Sequence, residues 1–206
     1  MPAETATALL LPAAIAILLG MVATLLATGA FHEDGLADSC DAFGGGWDKA
    51  QVLAIMKDSR IGSYGALAIG LALLIKFQAL YAIDALTPPA GLAIALVAAH
   101  AASRLASLAL MRWLDYARDD ESGKAKPLAR SVDNSGLALA ALFGLAPCFM
   151  LAADAALAAL FGVALTTTAS AVYFRRRIGG YTGDCLGASQ QLAEIAFYLG
   201  LLCVSI

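Results

Sequence analysis

Residues 5–46 read TATALLLPAAIAILLGMVATLLATGAFHEDGLADSCDAFGGG. Thr5–Ala30 carries no charge, and a helix that crosses a bilayer needs roughly 20 mostly apolar residues. The run ends abruptly in four carboxylates: Glu33, Asp34, Asp38 and Asp41. A greasy segment that stops at an acidic cluster predicts a membrane span with chemistry at its mouth.

The rest of the chain repeats the first half of that pattern. The 206 residues are 61% hydrophobic and only 14% charged, against about 25% charged in soluble domains. Mean hydropathy is +0.78. Further apolar runs cover 61–83, 85–111, 135–153, 155–174 and 185–206. The expected fold is therefore all-α: one integral membrane domain over residues 1–206, a bundle of about six transmembrane helices. The fourth and fifth would turn tightly at Asp154. Abundant alanine and glycine permit close helix packing in lipid.

Three polar segments separate the runs, at 31–60, 112–134 and 175–184. They hold Lys49, Lys57, Arg60, Arg112, Arg118, Lys124, Lys126, Arg130, Arg175, Arg176 and Arg177; only Lys76 and Arg104 of the thirteen Lys and Arg fall inside spans. Six alternating crossings place all three segments on one side, which the positive-inside rule makes cytoplasmic. The expected location is the inner, cytoplasmic membrane, crossed several times, with both termini outside. A net charge of −3 gives no reason to expect a nucleic-acid partner. Four scattered cysteines form neither a CxxC pair nor a disulfide framework. The partner that the composition does require is the lipid bilayer, and a homo-oligomer remains open.

If residues 31–45 are helical, Asp34, Asp38 and Asp41 at i, i+4 and i+7 share a face. Their repulsion would be relieved by a cation. Oxygen donors suit a hard one, and Mg²⁺ commonly joins one or two carboxylates to substrate phosphates. The candidate metal residues are Glu33, Asp34, Asp38 and Asp41. His32 flanks them as a substrate contact. The plain alternative is a solvated acidic cap.

Two other stretches share the cytoplasmic side. MKDSRIGSYG (56–65) offers Lys57, Asp58 and Ser59 as substrate contacts and Arg60 as a phosphate-neutralising group. RRRIGGYTGDCLGASQQLAE (175–194) offers Gly180, Thr182 and Asp184, while its arginine triplet reads as a topology anchor. Inside the spans, Lys76 and Arg104 are catalytic candidates, since ionisable groups in spans are functional by default. Their structural alternative is buried pairing with Asp84 or Glu194.

FHEDGLADSCDAFGGG, IMKDSRIGSYG and RIGGYTGDCLGASQQLAE together resemble the signature segments of the cobalamin synthase (adenosylcobinamide-GDP ribazoletransferase) family, in matching order from about Phe31 to the C-terminus. The resemblance implies a Mg²⁺-dependent membrane phosphotransferase of late cobalamin assembly. It would join the corrinoid adenosylcobinamide-GDP to α-ribazole, or its 5′-phosphate, and release GMP. The acidic motif would hold metal on the diphosphate, Asp184 would be a second anchor or general base, and the site would be an open bowl. Family members carry about forty more residues ahead of the acidic motif, which predicts a further apolar segment encoded upstream of Met1.

Two other readings fit less well. CDP-alcohol phosphotransferases want Ala-Arg after the Asp-Gly pair, where this chain has Asp38. A transporter would place its polar groups near the midplane and usually carry an internal repeat.

Overall fold

The computed structural model describes residues 11–118 and 133–204. Lys124, Lys126 and Arg130 lie outside them. Among the described residues there are eight α-helices: α1 (Ala13–Thr28), α2 (Phe31–Gly45), α3 (Lys49–Ile55), α4 (Ser63–Leu86), α5 (Gly91–Trp113), α6 (Asn134–Leu145), α7 (Ala153–Ile178) and α8 (Gly183–Val204). The expected all-α membrane bundle is what is observed.

Each of the six expected apolar runs is helical, but not every one is a full-length apolar span by itself. Among the described residues, α4, α5 and α7 are long and apolar enough to cross a membrane by themselves, and the bent pair α1–α2 raises the count to up to four. Three physical causes account for the difference. Pro147 lacks an amide donor, so the apolar run after Asn134 ends as α6 plus a short 3₁₀ turn at Ala146–Met150. The turn before α7 falls at Leu151 and Ala152, leaving Asp154 in the first turn of α7. Helix α8 is long enough, but it carries buried Ser189, Gln190, Gln191 and Glu194.

The segment 31–60, expected as a loop, is mostly helical. Gly29 and Ala30 both adopt left-handed backbone, with φ of 63° and 55°. Two such residues in succession turn the chain by 85° between α1 and α2. The conformation is ordinary for glycine and costs roughly 1–2 kcal/mol for alanine. Glu33 and Asp34 then occupy the first turn of α2, where the helix dipole favours anions.

Small residues set the spacing of the bundle. A Cβ on Gly200 would meet the Ala159 Cα at 2.6 Å, and one on Gly162 would meet the Ala196 carbonyl oxygen at 2.8 Å, so α7 and α8 pack backbone to backbone. Alanines 95, 98, 99, 102 and 106 form the matching buried stripe of α5.

Candidate active site

The motif segments meet at one end of the bundle. Helix α2 lies against the start of α8, where a Cβ on Gly35 would stand 2.9 Å from the Asp184 carbonyl oxygen and 3.2 Å from the Gly187 Cα. Only glycine allows that approach, and it sets the acidic motif beside the third motif. The third motif is itself tied to Tyr116–Arg118. Tyr181 N–H donates to the Asp115 carbonyl at 2.9 Å, and Ala117 N–H donates to the Tyr181 carbonyl at 2.8 Å. Buried Gly180 packs directly against the Asp115 carbonyl oxygen.

This scaffold produces a cluster of carboxylates with one arginine in contact. Arg118 Nη2 donates to Asp184 Oδ2 at 2.9 Å, while Arg118 Nε is buried without a partner among the described residues. The Asp38 carboxyl is pushed up to about 6, first by burial and then by the negative charges of Asp34, Asp184 and Asp41. Three of those four charges belong to one helix face, as the spacing predicted. Asp184 comes from the far end of the sequence.

Asp41 has a further role. Its carboxylate accepts from Gly62 N–H at 2.7 Å and from Gly65 N–H at 2.9 Å. It therefore caps α4, and side chains at Gly62 or Gly65 would collide with it. Among the described residues, no three His, Cys, Asp or Glu side chains stand together as a ready-made metal cage.

Glu33 faces another way. It is 7% exposed, and its Oε1 accepts from Gln191 Nε2 at 2.9 Å. It begins a buried polar chain. Lys76 Nζ donates to Gln191 Oε1 at 2.8 Å and pairs with Glu194 Oε1 at 3.1 Å. Tyr198 and Gln190 also donate to Glu194, at 3.2 and 2.9 Å. His100 Nδ1 lies 3.7 Å from Glu194. Arg104 lies over the same turn, donating to the His100 carbonyl at 2.9 Å. Of the two pairings the sequence offered Lys76, the fold uses Glu194. His32 sits where burial, followed by the nearby Arg104 charge, lowers its pKa.

The second motif touches the acidic helix through Gly62 and Gly65, but its charged part points to solvent. Arg60 is bonded to Asp58 at 2.6 Å, its side chain 87% exposed. Ser59 and Lys57 share that exposed segment between α3 and α4. Thr182 is fully buried, and its hydroxyl accepts from Cys185 N–H at 3.3 Å, capping α8.

Two arginines read as topology anchors have local work as well. Arg177 Nη2 donates to the Gly46 carbonyl at 2.6 Å, closing the C-terminus of α2, and the guanidinium lies over the rings of Phe43 and Tyr173. Arg175 does the same for α5, donating to the Trp113 carbonyl at 2.8 Å. Both carbonyls belong to helix ends that need donors.

Comparison with known proteins agrees with the motif reading. Residues 3–202 match the family described as cobalamin-5-phosphate synthase. The chain is 47% identical over 198 residues to adenosylcobinamide-GDP ribazoletransferase of Shewanella frigidimarina (strain NCIMB 400), covering 96% of this chain and 76% of the relative. It is 48% identical over 194 residues to the protein of that name from Shewanella baltica (strain OS155 / ATCC BAA-1091), covering 94% and 74%. No solved structure matches. With that extent and identity, the chain belongs to the cobalamin-5-phosphate synthase family.

Proposed function

We propose that this protein joins adenosylcobinamide-GDP to α-ribazole, or to its 5′-phosphate, with release of GMP. The observation that carries the reading is the cluster of Asp34, Asp38 and Asp184 with Arg118, built where the first and third family motifs pack face to face. A ribazole hydroxyl oxygen attacks the phosphorus on the cobinamide side of the diphosphate. A new P–O bond forms, and the P–O bond to GMP breaks. The hydroxyl proton passes to a carboxylate of the cluster. Phosphoryl transfer of this kind depends on positioning and charge neutralisation.

The donor chemistry fits Mg²⁺. Asp38, raised to about 6 first by burial and then by the charges of Asp34, Asp184 and Asp41, would gain from a hard cation among them. No three of these side chains form a cage by themselves, so Asp34, Asp38 and Asp184 would offer one or two oxygen donors with substrate phosphates completing the set, and Asp41 is left to cap α4. Bound there, Mg²⁺ would neutralise charge on the diphosphate oxygens. Arg118 is the protein's own cation at this place. Its unpartnered Nε gives the planar fork a free edge for a phosphate oxygen. Arg118 therefore replaces exposed Arg60 as the first choice for that role. We place the cluster on the cytoplasmic side of the inner membrane, because Arg118, Arg175 and Arg177 lie at that end.

The test is direct. Protein purified in detergent is incubated with adenosylcobinamide-GDP, α-ribazole and Mg²⁺, and GMP and cobalamin are measured. Product that forms only with all three supports the reading. No GMP from folded protein would reject it.

A further inference from the structure

Helices α1, α4, α5 and α8 enclose a cavity of about 530 Å³ beside the buried polar chain. Its wall is largely apolar, with Ile17, Met21, Leu73, Leu80, Leu92 and Leu96. Glu33 enters it at the end where α1 passes into α2. We propose that this cavity receives the aromatic base of the ribazole substrate, with a ribose hydroxyl donating to Glu33 Oε2. This occupancy rests on the ribazoletransferase reading above.

Glu33 presents an unmet hydrogen bond. Its Oε2 is buried and has no partner among the described residues, whereas its Oε1 is satisfied by Gln191. The neighbouring groups are committed to one another: Lys76 to Gln191 and Glu194, and Tyr198 and Gln190 to Glu194. A buried carboxylate oxygen without a donor is costly, and native structures seldom leave one so. A ligand that brings an O–H removes that cost. A lipid acyl chain fills apolar space but brings no donor.

The size and shape also suit a nucleoside with an apolar bicyclic base. Pockets for such molecules run to roughly 300–1,000 Å³, mostly apolar with a few fixed polar groups. Asp34 follows Glu33 on the same helix, and Asp38 lies just over one turn further on. A nucleoside seated with one hydroxyl on Glu33 holds its sugar next to the carboxylates that handle the diphosphate. The membrane interior thus supplies the dry half of the site and the acidic cluster the wet half.

A second groove, of about 710 Å³, lies between α2, α4, α7 and α8 and is lined by Phe43, Tyr64, Tyr173 and Phe174. Its unpartnered group is the Ser39 hydroxyl. A helical serine can turn to its own i−4 carbonyl, so this groove makes no comparable demand for a ligand.

The test measures binding of α-ribazole to the full-length protein by calorimetry, with EDTA and without the corrinoid. A Cβ added at Gly20, which lines the cavity, meets no atom within 4 Å. Gly20→Phe should fill the cavity and weaken α-ribazole binding by about tenfold or more, as expected when apolar contact is lost. Glu33→Leu should weaken α-ribazole by about tenfold, the worth of one hydrogen bond to a charged group. An N-methylated benzimidazole has neither ribose nor ring N–H, so Gly20→Phe should weaken it and Glu33→Leu should not. Ala68→Phe, in the other groove, is the control. The proposal is overturned if Gly20→Phe leaves α-ribazole affinity unchanged, if Ala68→Phe weakens it instead, or if Gly20→Phe merely expels a co-purified lipid. Binding without any turnover in the wild type would defeat the enzymatic reading while leaving the cavity assignment standing.

Discussion

Gly35 and Gly187 meet backbone to backbone: a Cβ on Gly35 would lie 3.2 Å from the Gly187 Cα and 2.9 Å from the Asp184 carbonyl oxygen. This crossing fixes the distance between the carboxylates of α2 and Asp184. Gly35→Ala must push the helices apart, because the obstructing atoms are main chain. Misplacement of reacting groups by about 1 Å can cost on the order of a hundredfold in rate. GMP release by the alanine variant should fall to that extent while the protein still inserts and purifies. Near-normal turnover would show that the crossing does not set the site.

Asp38 gives a prediction about stability. An unfolded aspartate titrates near ~3.9, whereas here burial and three neighbouring carboxylates raise it to about 6. Below the lower value both states are protonated and the elevation costs nothing. As pH rises between the two values, the unfolded chain ionises first and the fold loses stability. Above about 6 the cost is constant. Asp38→Asn should therefore melt higher than wild type at pH 7.5 without Mg²⁺, with the gain fading by about pH 4. Turnover should nonetheless drop by orders of magnitude. An Asp38→Asn protein that melts no higher than wild type under the first condition would contradict the crowding.

Arg118 and Arg60 should separate cleanly. Arg118→Lys keeps the charge but loses the planar fork, and should lower turnover by about 10²-fold or more. Arg60→Ala, which removes an exposed contact with Asp58, should cost little. The check is turnover at saturating substrate, together with GDP binding in EDTA. A larger loss at Arg60 would return the phosphate role to it.

Arg177 ties α7 to the end of α2. Arg177→Met keeps much of the contact with Phe43 and Tyr173 but leaves the Gly46 carbonyl without its donor. Loss of a helix-end partner costs roughly 1 kcal/mol, so a fall of a few degrees in the detergent melting midpoint is expected. An unchanged midpoint would make the bond incidental.

The sequence made the bundle and its motifs legible because apolar runs and helical spacing are local signals. Asp34, Asp38 and Asp41 do lie on one helix, as their spacing required. It could not show that Asp41 would be spent on the amides of Gly62 and Gly65, since that depends on where α4 starts beside α2. The arginine triplet had a satisfactory explanation as a charged flank, which concealed the capping of α2 and α5 from α7. Arg118 was read as a loop cation, and Tyr116–Arg118 as polar positions of the resembled family; the contact with Asp184 comes from the pairing of Tyr116 with Tyr181 across 65 positions of chain. The breaks within the apolar runs were hidden for a related reason. Hydropathy does not register a proline that ends a helix, or glutamines that face inward.

Asp34 of α2 and Asp184 are separated by 150 positions in the chain. A ribosome synthesises the first long before the second, at about 5–20 residues per second in vivo. During that interval the acidic helix has neither the glycine face of α8 nor the arginines of α7 to lie against. The catalytic end of this protein can be assembled only after nearly the whole chain has been threaded into the bilayer, so a fragment truncated before α8 should carry every residue of the acidic motif and still have no site.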